Sequence, residues 1–272
     1  MKKRFIILID LSEYSNNLIK YACHWGQKAN AELLLVHQSI VLAPALSDNE
    51  SKLEITQHTN EDALQQLKLL AGELIPPTVK VSYWVSETNL QLTLAKLLED
   101  PYHDLIFTGL KKAGFLKKYF VGSVALRIIE NIENTIVSLP KETSVFSVKK
   151  LLVAVTEKYP LNILELNKFL DFMDEKNTSL TFFYLAKPKE DTTQVENRLS
   201  ELSALFSGRV KTKTAIYEAE APLTEIQKLI TNNEEELLIV QRGTRLLTDH
   251  LFRRFLINEL VYEAQTPLIV LP

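Results

Sequence analysis

"RFIILIDLSEYSNNLIKYACHWGQKANAELLLVHQ", residues 4–38, decides the architecture. Residues 4–9 are an unbroken apolar run rich in isoleucine and bounded by charge, which reads as a strand buried on both faces. After Asp10 the period changes. Leu18, Tyr21, Ala22 and Trp25 recur at helical spacing, with Ser12 as the expected N-cap. Residues 31–38 form a second buried strand. A strand, a helix and a second buried strand make a crossover unit, and crossover units build parallel sheets.

The pattern continues to residue 140. Residues 51–74 read as a long helix closed by Gly72 and the pair Pro76-Pro77. Residues 79–87 alternate like a strand with one less buried face. A short helix at 89–100, a buried strand at 104–109, a helix at 123–131 and a strand at 134–140 complete the set. Right-handed crossovers place the helices on both faces.

The order then repeats. "VKKLLVAVTEKYP", from residue 148, matches the opening "KKRFIILIDLSEYS" in kind, with lysines, an apolar strand and a polar turn. Helices are expected at 161–177, 193–205, 221–233 and 256–264, and strands at 179–186, 210–218, 236–243 and 266–272. "NTIVSLP" at 134–140 and "TPLIVLP" at 266–272 end the two halves in nearly the same words. The expected fold is therefore two tandem flavodoxin-like (Rossmann-like) α/β domains, 1–140 and 149–272. Each is a five-stranded parallel sheet with helices on both faces, and residues 141–148 link them. The terminal strands, 135–139 and 267–271, are apolar and would be open sheet edges if left alone. Pairing them with each other closes both and packs the halves as an internal pseudo-dimer.

Composition narrows the function. A net charge of −3 supplies no basic field for nucleic acid or an anionic membrane. The single cysteine, Cys23, sits within the apolar helical pattern and reads as a small core residue. The basic N-terminus before an apolar run resembles the start of a signal peptide, but the run stops at Asp10 and no small-residue cleavage site follows. No stretch approaches the roughly 20 apolar residues of a membrane span. A cytoplasmic protein with no membrane partner is expected. The histidines His24, His37, His58, His103 and His250 form no metal-ligand spacing, so no metal site is expected. Neither a G-x-S-x-G elbow nor a G-x-x-x-x-G-K-[ST] loop occurs, no residue set points to turnover, and the chain is not expected to be an enzyme.

One segment stands out. "GLKKAGFLKKYFVGS", residues 109–123, holds three of the chain's seven glycines and four lysines. In an open parallel sheet, ligands bind outside the carboxyl ends of the strands where the strand order reverses. Asp10 ends the first strand, His37 and Gln38 the second, and Thr108 and Gly109 the fourth. The glycine-containing loop then runs into a helix opening at Ser123, whose unpaired N–H groups favour phosphate. Gly122 removes a Cβ that would hold an anion away, Ser123 adds a hydroxyl, and Asp10 suits a ribose hydroxyl or a base amine. His37, beside Asp10, reads as a half-buried side chain bonded to backbone.

These residues resemble the universal stress proteins in their tandem two-domain form. "ILIDLSEYSNNLIKYA" is similar to that family's first strand and helix. "DLIFTGLKKAGFLKKYFVGSVALRIIE" is similar to its signature of glycine, two residues, glycine, nine residues, then glycine with serine or threonine. The resemblance implies that ATP or a related nucleotide binds the first half at Asp10, Gln38, Thr108, Gly109, Lys112, Gly122, Ser123 and Val124, with a metal present only as nucleotide-associated Mg. The match departs from the family at Lys112, which replaces the middle glycine, at Leu8, which replaces a proline, and at Gln38, where a small apolar residue is usual. Lys112 either reaches a phosphate or obstructs the loop. In the second half Thr156 or its neighbour stands for Asp10, and the loop keeps only Gly243, so no nucleotide is expected there. Arg242, Arg245, Arg253 and Arg254 either collect an anion or form a solvated face. The resemblance thus implies a stress-response or regulatory protein. An interaction scaffold without nucleotide is the alternative, and a nucleotidyl transferase of similar fold ranks third. A homodimer and an unidentified protein partner stay open.

Overall fold

The computed structural model describes residues 1–42, 48–109, 123–141, 143–156, 160–218, 236–242 and 266–272. In chain order the first half contains β1 (Lys2–Ile9), α1 (Tyr14–Ala29), β2 (Ala31–Gln38), α2 (Asn49–Leu74), β3 (Val81–Ser86), α3 (Leu90–Leu97), β4 (Tyr102–Gly109), α4 (Ser123–Asn131) and β5 (Ile136–Leu139). The second half contains β6 (Lys150–Ala154), α5 (Ile163–Leu170), β7 (Ser179–Ala186), α6 (Thr193–Phe206), β8 (Lys211–Glu218), β9 (Glu236–Gln241) and β10 (Leu268–Leu271). The helices expected at 221–233 and 256–264 lie outside the described residues.

The two expected five-stranded sheets are fused into one. Its order is β3-β2-β1-β4-β5-β10-β9-β6-β7-β8, so the second half repeats the strand order of the first. Within each half the described strands pair in parallel. The join between β5 and β10 is antiparallel, with Ile269 opposite Val137, Leu268 opposite Ser138 and Val270 opposite Ile136. Val137 and Ile269 hold the same place in "NTIVSLP" and "TPLIVLP", so like meets like about a local two-fold. The apolar terminal strands do cover each other, as their sequences demanded.

The core is divided by sheet face and not by half. Along β1, Phe5, Ile7 and Ile9 enter one apolar cluster, while Ile6 and Leu8 enter the other. The first cluster lies under α1, α2, α5 and α6, and it holds Phe5 together with Val153. The second lies under α3 and α4 and reaches Leu238 and Val240. Trp25 is the main tie across the seam. It is fully buried, stacks on Phe146 of the linker at 4.4 Å, and donates its indole N–H to the Phe172 carbonyl at 2.9 Å. α5 stops at Leu170 instead of running on to 177, and Phe172 and Met173 donate in tight turns to the Phe169 and Leu170 carbonyls. The chain turns there, which brings Phe172 against Phe5 at 5.6 Å.

A charge is buried at the start of β1. Arg4 forks onto Asp104 of β4 at 2.7 and 3.0 Å, reaches Asp100 at 2.8 Å, and donates to the Leu97 carbonyl at 2.6 Å. The two carboxylates outweigh the burial that opposes its charge and raise its pKa. The corresponding register position in the second half holds Lys150 opposite Glu236, bonded at 3.2 Å. An apolar run with a charged boundary was the expectation; the boundary residue is core.

Two further expectations are corrected. Ser12 does not cap α1. Glu13 occupies that position without a side-chain capping bond, and the Ser12 hydroxyl is used by Asp10. Gly72 does not end α2, which runs to Leu74 and stops ahead of Pro76-Pro77, where a helix cannot continue. Cys23 is buried on α1 as expected, and burial pushes its thiol pKa up.

Candidate functional site

Strand order reverses between β1 and β4, and a cleft of about 690 Å³ opens at their carboxyl ends. Asp10, Gln38, Thr108 and Gly109 all line it. Lys112 and Gly122 lie outside the described residues, and of Ser123 and Val124 only the backbone is described.

Asp10 is held by its own turn. One carboxylate oxygen accepts from the Ser12 N–H at 3.0 Å, the Ser12 hydroxyl at 2.6 Å and the Ser15 hydroxyl at 3.1 Å. The first of these is an Asx turn, the local bond that lets aspartate leave a strand. Leu11 follows at φ 56°, in the left-handed region that a branched residue occupies at a cost. The backbone is thus strained where it presents the carboxylate to the cleft.

His37 lines the cleft beside Asp10 and is bonded to backbone, as expected. Its Nδ1 lies 2.8 Å from the Ile9 carbonyl. A carbonyl only accepts, so Nδ1 carries the proton. Gln38 reaches back to the Glu87 carbonyl at 3.5 Å. Thr108 is buried, and no described atom lies within 4 Å of where a Cβ on Gly109 would stand. Gly109 itself carries no side chain, which suits a group that needs close backbone approach. Ala125 also lines the cleft, which puts the first turn of α4 at its wall.

Sequence reasoning missed the walls. Tyr14, Ser15 and Leu18 of α1 line the cleft, with Ile40 beyond β2 and Leu90 at the start of α3. The first three were legible as one edge of the helix after Asp10, since Leu18 lies four residues beyond Tyr14 and three beyond Ser15. Ile40 and Leu90 carried no such signal.

The second half is built differently at the same edge. Register places Gln241 where the first half has Gly109. Its side chain accepts from the Asn162 N–H at 2.8 Å and donates to the Pro272 carbonyl at 2.5 Å. Gln241 thereby ties the end of β9 to the entry of α5 and to the end of β10. Arg242 points back across the join. It donates to the Ile132 carbonyl at 2.7 Å and the Ile129 carbonyl at 3.3 Å, at the end of α4 in the other half. Arg245, Arg253 and Arg254 lie outside the described residues.

A parallel α/β sheet of this order, with its cleft at the reversal, defines a Rossmann-like protein with a switch-point site. The chain belongs to the universal stress protein family, whose sequence profile matches residues 1–137. Membership makes it a stress-response protein. The fold is similar to that of a universal stress protein from Archaeoglobus fulgidus, with 15% identity, a TM-score of 0.68, and 98% of this chain and 97% of that one covered. It is also similar to a functionally unknown protein from Pseudomonas aeruginosa, with 14% identity, a TM-score of 0.54, and coverage of 99% and 92%. No curated protein matches the sequence. Among the described residues no helix is long and apolar enough to cross a membrane.

Proposed function

We propose that the first half binds ATP or a related nucleotide, and that the chain is a cytoplasmic regulatory protein that acts by binding without turnover. The observation that carries this is the convergence at one cleft of the Asp10 carboxylate, the Gly109 backbone and the first turn of α4. Each suits one part of a nucleotide. A carboxylate accepts from ribose hydroxyls, and a glycine backbone admits a phosphate chain. A helix N-terminus favours its charge. The cleft volume also falls within the usual range for small-molecule sites, roughly 300–1,000 Å³. Any Mg in this reading is bound through the nucleotide's phosphates.

Equilibrium titration with ATP, ADP, AMP and adenosine tests the reading. Saturable ATP binding is expected at or below millimolar concentration, weakening as phosphates are removed. Asp10→Ala should weaken ATP and adenosine alike, by about tenfold, the loss of one bond to a charged group. Absence of binding at millimolar ATP overturns the reading. An interaction scaffold is the second reading. It is favoured by Ile40 and Leu42, which are 80% and 85% exposed just past β2, the first of them lining the cleft.

A further inference from the structure

We infer that Arg242 of the second half is a positioning residue for the nucleotide phosphates of the first half. The inference rests on the nucleotide reading given above. A helix leaves its last carbonyls without partners, and a cation placed there satisfies them while favouring the helix dipole. α4 ends at Asn131, and the Ile129 and Ile132 carbonyls at its end accept from the Arg242 guanidinium. The other end of this helix is the wall of the cleft. The chain therefore fixes α4 from behind, with a residue 110 positions away in sequence from Ile132.

The geometry follows from the join between the halves. β5 and β10 run antiparallel, so the carboxyl end of β10 lies beside the start of β5, next to the end of α4. Arg242 follows β9 directly, and its backbone N–H donates to the Leu271 carbonyl at 2.9 Å. Its anchor is a strand end within the sheet. One step earlier, Gln241 ties β9 to Asn162 and Pro272, which fixes the anchor further. The first-half residue at the place of Arg242 is Leu110, which has no charge to return the favour. The arrangement gives the second half a purpose in the first half's site without a ligand of its own.

Two measurements on the full-length chain test this, with Arg242→Gln and Arg242→Lys. In ligand-free protein, Arg242→Gln should speed amide hydrogen exchange across 125–132, and Arg242→Lys should restore most of the protection. In titrations, Arg242→Gln should weaken ATP by about fivefold to tenfold and leave adenosine unchanged, because only the phosphates meet α4. Arg242→Lys should recover most of the ATP affinity, since it keeps the charge. Unchanged exchange, unchanged ATP affinity, or an equal fall for ATP and adenosine overturns the inference. Wild-type protein that binds neither ATP nor adenosine overturns the nucleotide reading itself, and with it this role for Arg242.

Discussion

Gly109 and Gln241 stand at the same point of the same strand order, and the two edges diverge from there. Among the described residues nothing lies within 4 Å of where a Gly109 Cβ would stand, and the cleft that Gly109 lines reaches Asp10. At Gln241 the side chain bridges the entry of α5 and the carboxyl end of β10. Thr156 stands where a carboxylate would be needed. The opposite edge is alike in kind. Arg4 meets Asp104 there, and Lys150 meets Glu236 in the same register. The amino ends of the strands thus carry scaffold in both halves, while the carboxyl ends carry a cleft in one and a tether in the other. In parallel sheets this division is expected, because the carboxyl edge is where the loops are free to differ.

The largest expected effect lies at the shared edge. Asp104→Ala takes the buried carboxylate from a guanidinium whose side chain is 7% exposed, leaves it only Asp100 and the Leu97 carbonyl, and should cost about 3 kcal/mol in urea unfolding. Glu236→Ala should cost less than half as much, because Lys150 is 48% exposed and can turn to water. Equal losses would mean that the two pairs are not the graded versions described above.

Next come the exchanges at the differing edge. Gly109→Gln should fill the first cleft and weaken ATP at least thirtyfold, equivalent to about 2 kcal/mol, with the fold intact by circular dichroism. Gln241→Gly should create no nucleotide binding, since the second half still lacks a carboxylate at Thr156. A second site appearing in Gln241→Gly would show that a single side chain separates the halves.

Smaller effects sit inside the shared core. Cys23→Ala should cost on the order of 1 kcal/mol in unfolding and leave ATP titration unchanged, as befits a buried residue on α1. His103 faces the other half, 3.8 Å from Asp171 and 4.4 Å from the Phe172 ring. Burial, the largest cause, lowers its pKa below 6.5, against the pull of Asp171 and Glu165 and with the push of Lys168 and Lys3. The fold therefore prefers the neutral ring. Its contribution is present above pH 6.5 and is lost as pH falls through the lowered folded value. Unfolding at pH 7.5 and 5.5 should show a smaller acid loss in His103→Gln than in wild type. An identical loss in both would remove His103 from the pH dependence.

Much of this was legible in the sequence, and the remainder has physical reasons for being hidden. Apolar runs bounded by polar turns gave the described strands, and two apolar terminal strands gave the join at Val137 and Ile269, because an open edge is costly wherever it occurs. Asp10, Gln38, Thr108 and Gly109 were legible as strand ends that a parallel sheet must bring to one edge. Arg4 was not, because a lysine-rich N-terminus reads as solvated until register sets Asp104 beside it, a hundred residues away. The role of Gln241 was hidden for the same reason. At a strand end it looks like Gln38, and only the return of β10 supplies Pro272 as its partner. Arg242 read as one of four arginines in a loop, whereas its partners are carbonyls of the other half, which no local pattern encodes.

The most direct test of a one-site chain is the stoichiometry of ATP binding by calorimetric titration of the full-length protein. One ATP per chain is expected, lost in Gly109→Gln and retained in Gln241→Gly. Two ATP per chain, or one that survives Gly109→Gln, would contradict the division between the halves.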